Sequence, residues 1–449
     1  MNLDICQSPV SLSSPDDLSE WNAMIRAFLA HGTTTPTHLG AVLQSNPDFA
    51  MGHAARGLFS LMMGRAELTA TAREALSACH VAKSRAPVQM REQAWIDALQ
   101  HWLEGRPTQS VAEMEKVLAA HPVDTLSAKV SHAIRFILGD AAGMRRSVER
   151  VLAAHDDSHA LRGFLLGCHA FTLEETGEYD AAERAGRAGL ELAPDDAWGL
   201  HAVAHVYDMT ARPDCGIALI ENNTGAWDHC NNFRYHVWWH KALLHVDRGE
   251  LDVALGLYDA QIRADKTDDY RDISNATSLL VRLELDGVDV GARWEELADL
   301  AEARTEDGCV VFADLHYMLA LTGADRTGAQ NDMMQRFARD AAKDGDMPQR
   351  YAVPGQAALS GLNAFAEGRY DTAFADLALA RPDMQQIGGS HAQRDVFERI
   401  TIDAGLRAGR YDQTEEILRD RLARRAGKAD RFTTTRMSTI SQARRIPAQ

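Results

Sequence analysis

Apolar residues recur along this chain at spacings of three and four, which is the period of an α-helix with one buried stripe. The first such segment, DDLSEWNAMIRAFLAHG, places Leu18, Trp21 and Ile25 on one stripe, and Ser14 and Pro15 supply its N-cap and first position. Alternating runs that would indicate β-strands are absent, and alanine and leucine abound. The pattern therefore predicts an all-α protein that needs no strand.

A glycine turn recurs between the predicted helices. It reads GEYDAA, GELDVA, GRYDTA and GRYDQT, beginning at Gly177, Gly249, Gly368 and Gly409. Tetratricopeptide repeats, which are helix-turn-helix units of about 34 residues, have such turns at fixed offsets. We therefore predict an α-α superhelix (solenoid) of tetratricopeptide-like units. The first helices of these units are expected near 50–64, 88–105, 124–139, 158–177, 196–211, 231–249, 270–287, 309–323, 352–368 and 391–409.

The domain prediction follows from where the repeat begins and ends. Residues 16–425 are expected to form a single tetratricopeptide-like domain, preceded by an irregular stretch over residues 1–15. From residue 426 the sequence AGKADRFTTTRMSTISQARRIPAQ is basic and rich in serine and threonine. Residues 426–449 are therefore expected to form a flexible tail.

Composition narrows the classes of partner and compartment. The 449 residues carry a formal net charge of −17, which disfavours sequence-independent nucleic-acid binding and an anionic membrane surface. The six cysteines are scattered without a C-x-x-C pair, as expected in a reducing compartment. No signal peptide and no apolar run long enough to span a bilayer is evident, so a cytoplasmic protein is expected.

Histidines concentrate in one part of the chain, with six of the eighteen between residues 195 and 250. His201 and His205 in HAVAH, and His236 and His240 in HVWWH, are four apart, so each pair shares one face of a helix. Both pairs fall on first helices, which line the inner face of such arrays. Neutral imidazole suits zinc, iron, copper or nickel, and zinc is the first expectation. The alternative is that these histidines are hydrogen-bonded packing residues.

Other polar residues interrupt apolar helices. Asp314 and His316 stand in VVFADLHYMLAL, and Ser131 and His132 stand in KVSHAIRF. A buried carboxylate or imidazole needs a partner. Asp314 and His316 are candidates to orient the histidines or complete a metal shell, and a helix-to-helix hydrogen bond explains them equally well.

The segment IGGSHAQRDVFERI, over residues 387–400, is the last candidate. Ser390 can cap the following helix, and Arg394 and Asp395 lie in its first turns. A helix N-terminus with an arginine nearby suits an anion or a carboxylate. A capped helix with an Arg394–Asp395 surface pair is the alternative.

Five segments resemble the tetratricopeptide repeat protein 38 family: DDAWGLHAVAHVYDM, YHVWWHKALLHVDRGELDVALGLYD, LVRLELDGVDVGARW, FADLHYMLAL and IGGSHAQRDVFERI. The resemblance covers about residues 85–425 and implies the all-α superhelix. The family has no established reaction, so the resemblance does not indicate one for this chain. The polar positions of this chain that match the family's motifs are His201, His205, His236, His240, Asp314, His316, Gln393, Arg394 and Asp395, and His391 matches a position that also takes asparagine.

Two hypotheses about function remain open. In the first, the protein is a metal-dependent hydrolase of a small amide, ester or related molecule, with His201, His205, His236 and His240 as metal ligands. Catalytic roles then fall to Asp314, His316, Arg394 and Asp395, with Arg394 binding a substrate carboxylate. In the second, the groove binds a peptide or protein partner and the histidines are structural. A homo-oligomer is open in both.

Overall fold

The computed structural model describes residues 2–445, and the regular secondary structure of these residues is almost entirely helical. The all-α prediction is confirmed. The helices are α1 (Pro15–Leu29), α2 (Thr35–Ser45), α3 (Ala50–Met62), α4 (Leu68–Arg85), α5 (Met90–Leu103), α6 (Pro107–Ala120), α7 (Thr125–Leu138), α8 (Ala141–Leu152), α9 (Arg162–Glu175), α10 (Tyr179–Leu192), α11 (Ala197–Met209), α12 (Pro213–Asn222), α13 (Phe233–Asp247), α14 (Leu251–Leu257), α15 (Tyr270–Leu285), α16 (Arg293–Glu302), α17 (Val311–Gly323), α18 (Thr327–Ala341), α19 (Asp346–Arg350), α20 (Gln356–Ala366), α21 (Tyr370–Ala380), α22 (His391–Arg407), α23 (Tyr411–Arg424) and α24 (Arg431–Ala443).

The predicted repeat register matches the observed helices. The ten predicted first helices correspond to α3, α5, α7, α9, α11, α13, α15, α17, α20 and α22. Glycines at the turns adopt positive φ angles, for example 86° at Gly177 and 79° at Gly249. Residues other than glycine rarely adopt this conformation, which is why the turn motif is visible in the sequence.

The chain divides into two compact units where the sequence predicts one continuous domain. The first unit comprises Met1–Val203, Asn223–Arg234 and Asp344–Met347. The second unit comprises Ala204–Asn222, Tyr235–Lys343 and Pro348–Gln449. In each unit the helices pack as tetratricopeptide-like pairs, such as α9 with α10 in the first and α20 with α21 in the second.

The N-terminal stretch is more ordered than predicted. Two short strands, β1 (Asn2–Leu3) and β2 (Pro9–Val10), pair antiparallel within the described residues. The buried Asp4 explains this order, since its carboxylate accepts hydrogen bonds from Cys6 N at 2.9 Å and Trp21 Nε1 at 3.2 Å. It also pairs with the buried Arg91 at 2.6 Å. Trp21 and Arg91 are distant from Asp4 in sequence, and local periodicity does not register them.

The C-terminal segment also differs from the flexible tail that its composition predicts. Residues 431–443 form α24, which buries Phe432 and Ile440. Arg436 pairs with Asp403 at 3.0 Å and Asp286 at 2.7 Å, and Asp430 caps the helix by accepting from Thr433 N at 2.8 Å. Three of the basic residues that make this segment look like a tail, Arg431, Arg436 and Arg444, are thus ion-pair partners. Residues 446–449 lie outside the described residues.

None of the helices in the described part of the chain has both the length and the apolar character needed to cross a bilayer.

Candidate metal centre

Three of the predicted histidines converge in the second unit. His205 lies on α11, and His236 and His240 lie one turn apart on α13. Each is at most 8% exposed, and their ring nitrogens include ligand atoms that all lie within 4.8 Å of one another. The ring centroids of His205 and His240 are 4.4 Å apart. The i, i+4 spacing on α13 and the packing of two first helices together produce this cluster.

The closest contact in the cluster joins two ring nitrogens. The Nε2 atoms of His236 and His240 are 3.1 Å apart. Two nitrogens bound to one tetrahedral zinc ion at 2.0–2.1 Å would be separated by about 3.3 Å. The spacing therefore fits two ligands of one ion, and it also fits a hydrogen bond between the two imidazoles.

A neighbouring amide fixes the orientation of His236. Its Nδ1–H donates to Asn275 Oδ1 on α15 at 2.9 Å, because an amide oxygen can only accept. The Nε2 atom, which faces His240, therefore carries a lone pair. Burial lowers the pKa of His236 to about 3, although the Asn275 hydrogen bond acts in the opposite direction. The imidazole is thus neutral, which is the form that binds metals.

Trp239 forms one wall of the cluster. Its ring stacks on His236 with centroids 5.2 Å apart and contacts the edge of His240 at 4.8 Å. Its Nε1–H donates to Ser278 Oγ on α15 at 3.1 Å. Trp239 is fully buried. It shields one side of the histidines from water.

Two further histidines lie on the same helices or beside them. His391, in the first turn of α22, has its ring centroid 5.5 Å from that of His205. His201 lies one turn before His205 on α11, and it belongs to the first unit. There its ring contacts Phe171 at 5.5 Å and Trp198 at 5.0 Å. A metal-binding role for His201 stays a prediction, and the candidate metal centre of the second unit comprises His205, His236 and His240.

Asp314 and His316 on α17 each have a local partner. Asp314 Oδ1 lies 2.9 Å from Arg336 Nη2, and Tyr351 Oη donates to Asp314 Oδ2 at 2.6 Å. His316 Nδ1–H donates to the backbone carbonyl of Phe312 at 2.7 Å. The alternative given by the sequence, hydrogen bonds between and within helices, accounts for these contacts. A catalytic role for either residue stays a prediction.

Arg394 and Asp395 on α22 are also held by their surroundings. Arg394 donates to the backbone carbonyls of Gly388 and Gly389. Asp395 pairs with Arg399 at 2.6 Å and Arg421 at 2.7 Å, so the predicted Arg394–Asp395 surface pair is not the arrangement found. Burial acts to raise the pKa of Asp395, but Arg421 and Arg399 hold it well below its usual range. The substrate-binding role of Arg394 and the catalytic role of Asp395 stay predictions.

The predicted N-cap of α22 is confirmed. Ser390 Oγ accepts from Gln393 N at 3.3 Å, and Gln393 Oε1 accepts from Ser390 N at 3.0 Å. This reciprocal pair is a capping box, which satisfies two backbone donors at the helix start. Gln393 therefore has a structural role in capping α22.

Sequence inspection did not single out Asn275 or Arg282, both on α15. Arg282 is 1% exposed, lies 5.5 Å from the ring centroid of Trp239, and donates to the carbonyls of Ser278 and Ala392. Arg282 interrupts the apolar run LLVRL, which is the same signal that identifies Asp314 as a candidate. Asn275 lies in the polar stretch SNATS, which carries no such signal.

Comparisons with known proteins find distant similarity only. No protein-family model matches the sequence. The chain is similar to two solved structures of the human IFIT1 dimer, one with PPP-AAAA and one with m7Gppp-AAAA, each at 12% sequence identity over 97% of this chain. The first match covers 96% of the IFIT1 chain with a TM-score of 0.43, and the second covers 97% with a TM-score of 0.42. The structure of Naa15/Naa10 bound to HypK-THB is 12% identical over 96% of this chain and 66% of that chain, with a TM-score of 0.25. None of these similarities bears on the chemistry of the histidine cluster.

Proposed function

We propose that the protein is a binding protein of the helical-repeat class that holds one divalent transition metal at His205, His236 and His240. The observation that carries this proposal is the 3.1 Å separation of the His236 and His240 Nε2 atoms, with Asn275 holding the far side of His236. Metal-binding histidines typically donate their other ring N–H to a fixed acceptor in this way. Zinc is our first choice because it accepts neutral imidazoles in a tetrahedral arrangement.

The more specific part of the proposal is hydrolysis of a small amide or ester. Three protein nitrogens leave a fourth position on a tetrahedral ion for water or a substrate oxygen, which is the ligand count of hydrolytic zinc sites. A zinc ion in such a position lowers the pKa of its water and polarises a carbonyl. The chain's own contribution would be the buried, largely apolar surroundings, of which Trp239 is one wall.

The alternative is a scaffold that binds a peptide or protein partner along its first helices. The repeat fold supports a binding role of this kind, since the stacked first helices of such arrays form an extended surface. In that case the His236–His240 contact is an ordinary N–H···N hydrogen bond. The resemblance to the tetratricopeptide repeat protein 38 family and a cytoplasmic location are compatible with both versions and are part of our proposal.

We expect elemental analysis of the untagged protein to find one transition metal ion per chain, and the His236→Gln variant to lose it. His245→Gln is the matched control, because His245 lies on the same helix and its Nδ1 contacts Glu250 at 2.6 Å. This control is expected to keep the metal. Asn275→Leu removes only the acceptor behind His236, and it should weaken zinc binding about 10–100-fold.

One set of results would contradict the proposed metal binding, and another would contradict the proposed hydrolysis. If the wild-type protein holds no metal, takes up neither zinc nor cobalt when titrated, and unfolds at the same temperature with and without chelator, the metal proposal fails. If a metal binds but no ester or amide in a broad panel is hydrolysed, the hydrolase part fails while metal binding stands.

A further inference from the structure

A second group of polar side chains lies around Trp198 in the first unit. It shares no residue with the candidate metal centre. Trp198 is in the first turn of α11, Lys129 and His132 are on α7, and Phe171 is on α9. The Nζ atom of Lys129 is 4.4 Å from the Trp198 ring centroid. The ring centroids of His132 and Phe171 lie 5.5 Å and 4.6 Å from that of Trp198.

Lys129 is a buried cation without a direct counter-ion. It is 6% exposed, and within residues 2–445 it makes neither a hydrogen bond nor an ion pair. Its ammonium lies over the face of the Trp198 ring. Lysine is rarely buried unless its charge is paired. Lys129 does act electrostatically on Asp196: burial raises the pKa of Asp196 to about 7, and the charge of Lys129 acts to lower it.

Neighbouring polar atoms also lack partners among the described residues. They are both ring nitrogens of His132, the indole Nε1 of Trp198 and the Oδ2 atom of Asp196. His132 is 2% exposed and Asp196 is 1% exposed. Buried polar atoms are normally hydrogen-bonded, so several unsatisfied atoms around one ring indicate a place where a ligand supplies the partners.

The types of these groups indicate which ligand fits. The ammonium of Lys129 and the indole N–H of Trp198 can only donate, and a neutral His132 donates from one ring nitrogen. Asp196 Oδ2 accepts when the carboxyl is ionised and joins the donors only when it is protonated. The three donors Lys129, Trp198 and His132 select an acceptor that carries negative charge. Trp198, Phe171 and Phe136 present aromatic surfaces, with Phe136 5.8 Å from both other rings, and these favour a flat apolar body.

We propose that Lys129, His132 and Trp198 bind a small aromatic carboxylate. Its carboxylate accepts from the Lys129 ammonium and from the indole N–H of Trp198, and His132 donates to the same group. The ring of the ligand packs against Phe171 and Trp198. This site belongs to the first unit and does not depend on metal binding at His205, His236 and His240.

The test is calorimetric titration of the full-length protein with benzoate and with its neutral counterpart benzamide. Benzoate is expected to bind at least about tenfold more tightly than benzamide, because only benzoate offers a charged acceptor to Lys129. Lys129→Met should weaken benzoate binding by at least about tenfold and leave benzamide binding little changed.

Lys241→Met is the matched control. Lys241 also lies over a tryptophan, with Nζ 5.1 Å from the Trp238 ring centroid, but it pairs with Glu221 at 2.7 Å. This variant should bind benzoate as the wild type does. The proposal is overturned if the wild type shows no benzoate binding at millimolar concentrations, if benzoate and benzamide bind equally, or if Lys241→Met loses as much affinity as Lys129→Met. The comparison of the two ligands on wild-type protein stands even if a variant fails to fold.

Discussion

Replacing Arg336 with alanine is expected to lower the free energy of unfolding by about 3–5 kcal/mol, since removing one partner of a buried ion pair leaves the other charge uncompensated. Arg336 and Asp314 are both 1% exposed and lie 2.9 Å apart. Burial raises the pKa of Asp314, and Arg336 acts against this shift. Without Arg336, Tyr351 is the remaining side-chain hydrogen-bond donor to Asp314 shown within the described residues. Urea denaturation of the variant and the wild type measures the difference.

The next turn of the same helix supplies a control for this prediction. Arg339 pairs with Glu306 at 2.6 Å, but the two side chains are 54% and 65% exposed. Arg339→Ala is expected to cost less than about 1 kcal/mol, because water already solvates both charges. If both variants lose the same stability, the buried pair does not support the fold as described. A loss of activity in Asp314→Asn without any loss of stability would instead favour the catalytic role that the sequence suggested.

Acid is expected to destabilise the protein through its buried neutral histidines. Burial lowers the pKa of His316 to about 3, while the hydrogen bond to the Phe312 carbonyl acts to raise it. An unfolded histidine has a pKa near 6.5, so between about pH 6.5 and 3 the unfolded chain binds a proton that the folded chain does not. The stabilising contribution is therefore fully present above about pH 6.5 and is lost as the pH falls. His316 alone is expected to contribute about 1.4 kcal/mol per pH unit within that range.

The variant His316→Phe isolates this contribution. Phenylalanine keeps a ring among Phe312 and Phe397 but cannot take up a proton. Urea denaturation at about pH 7 and about pH 5 should show a smaller loss of stability in the variant than in the wild type, by about 2 kcal/mol in total, because the difference accumulates only below about pH 6.5. An unchanged pH dependence would mean that His316 is not held neutral in the folded protein.

The sequence predicts the fold well because the repeat signals are local. Helical periodicity, the glycine turns and the proline at the start of α1 each act within a few residues. The convergence of His205, His236 and His240 follows from two local facts as well, the i, i+4 spacing on α13 and the placement of α11 and α13 as first helices. For His201, whose i, i+4 partner is His205 and whose ring contacts Phe171 and Trp198 in the first unit, a metal-binding role stays a prediction.

The parts that the sequence could not supply depend on distant partners. Asp395 was expected to pair with its neighbour Arg394, yet arginines at i+4 and on α23 hold it. Likewise, the basic residues of α24 look in the sequence like those of a solvated tail. In the structure Arg436 pairs with Asp286 and Asp403, which lie far from it in the sequence. A charged residue gives no local sign of whether it is solvated or paired, since its partner lies on another helix.

The most direct test of the central claim is X-ray absorption spectroscopy at the zinc edge on protein reconstituted with one equivalent of zinc. We expect three imidazole nitrogens at about 2.0–2.1 Å and a fourth light ligand, with the imidazole signal reduced in His236→Gln and intact in His245→Gln. A spectrum with oxygen ligands alone, or one that is the same in His236→Gln as in the wild type, would show that the three histidines do not bind the metal.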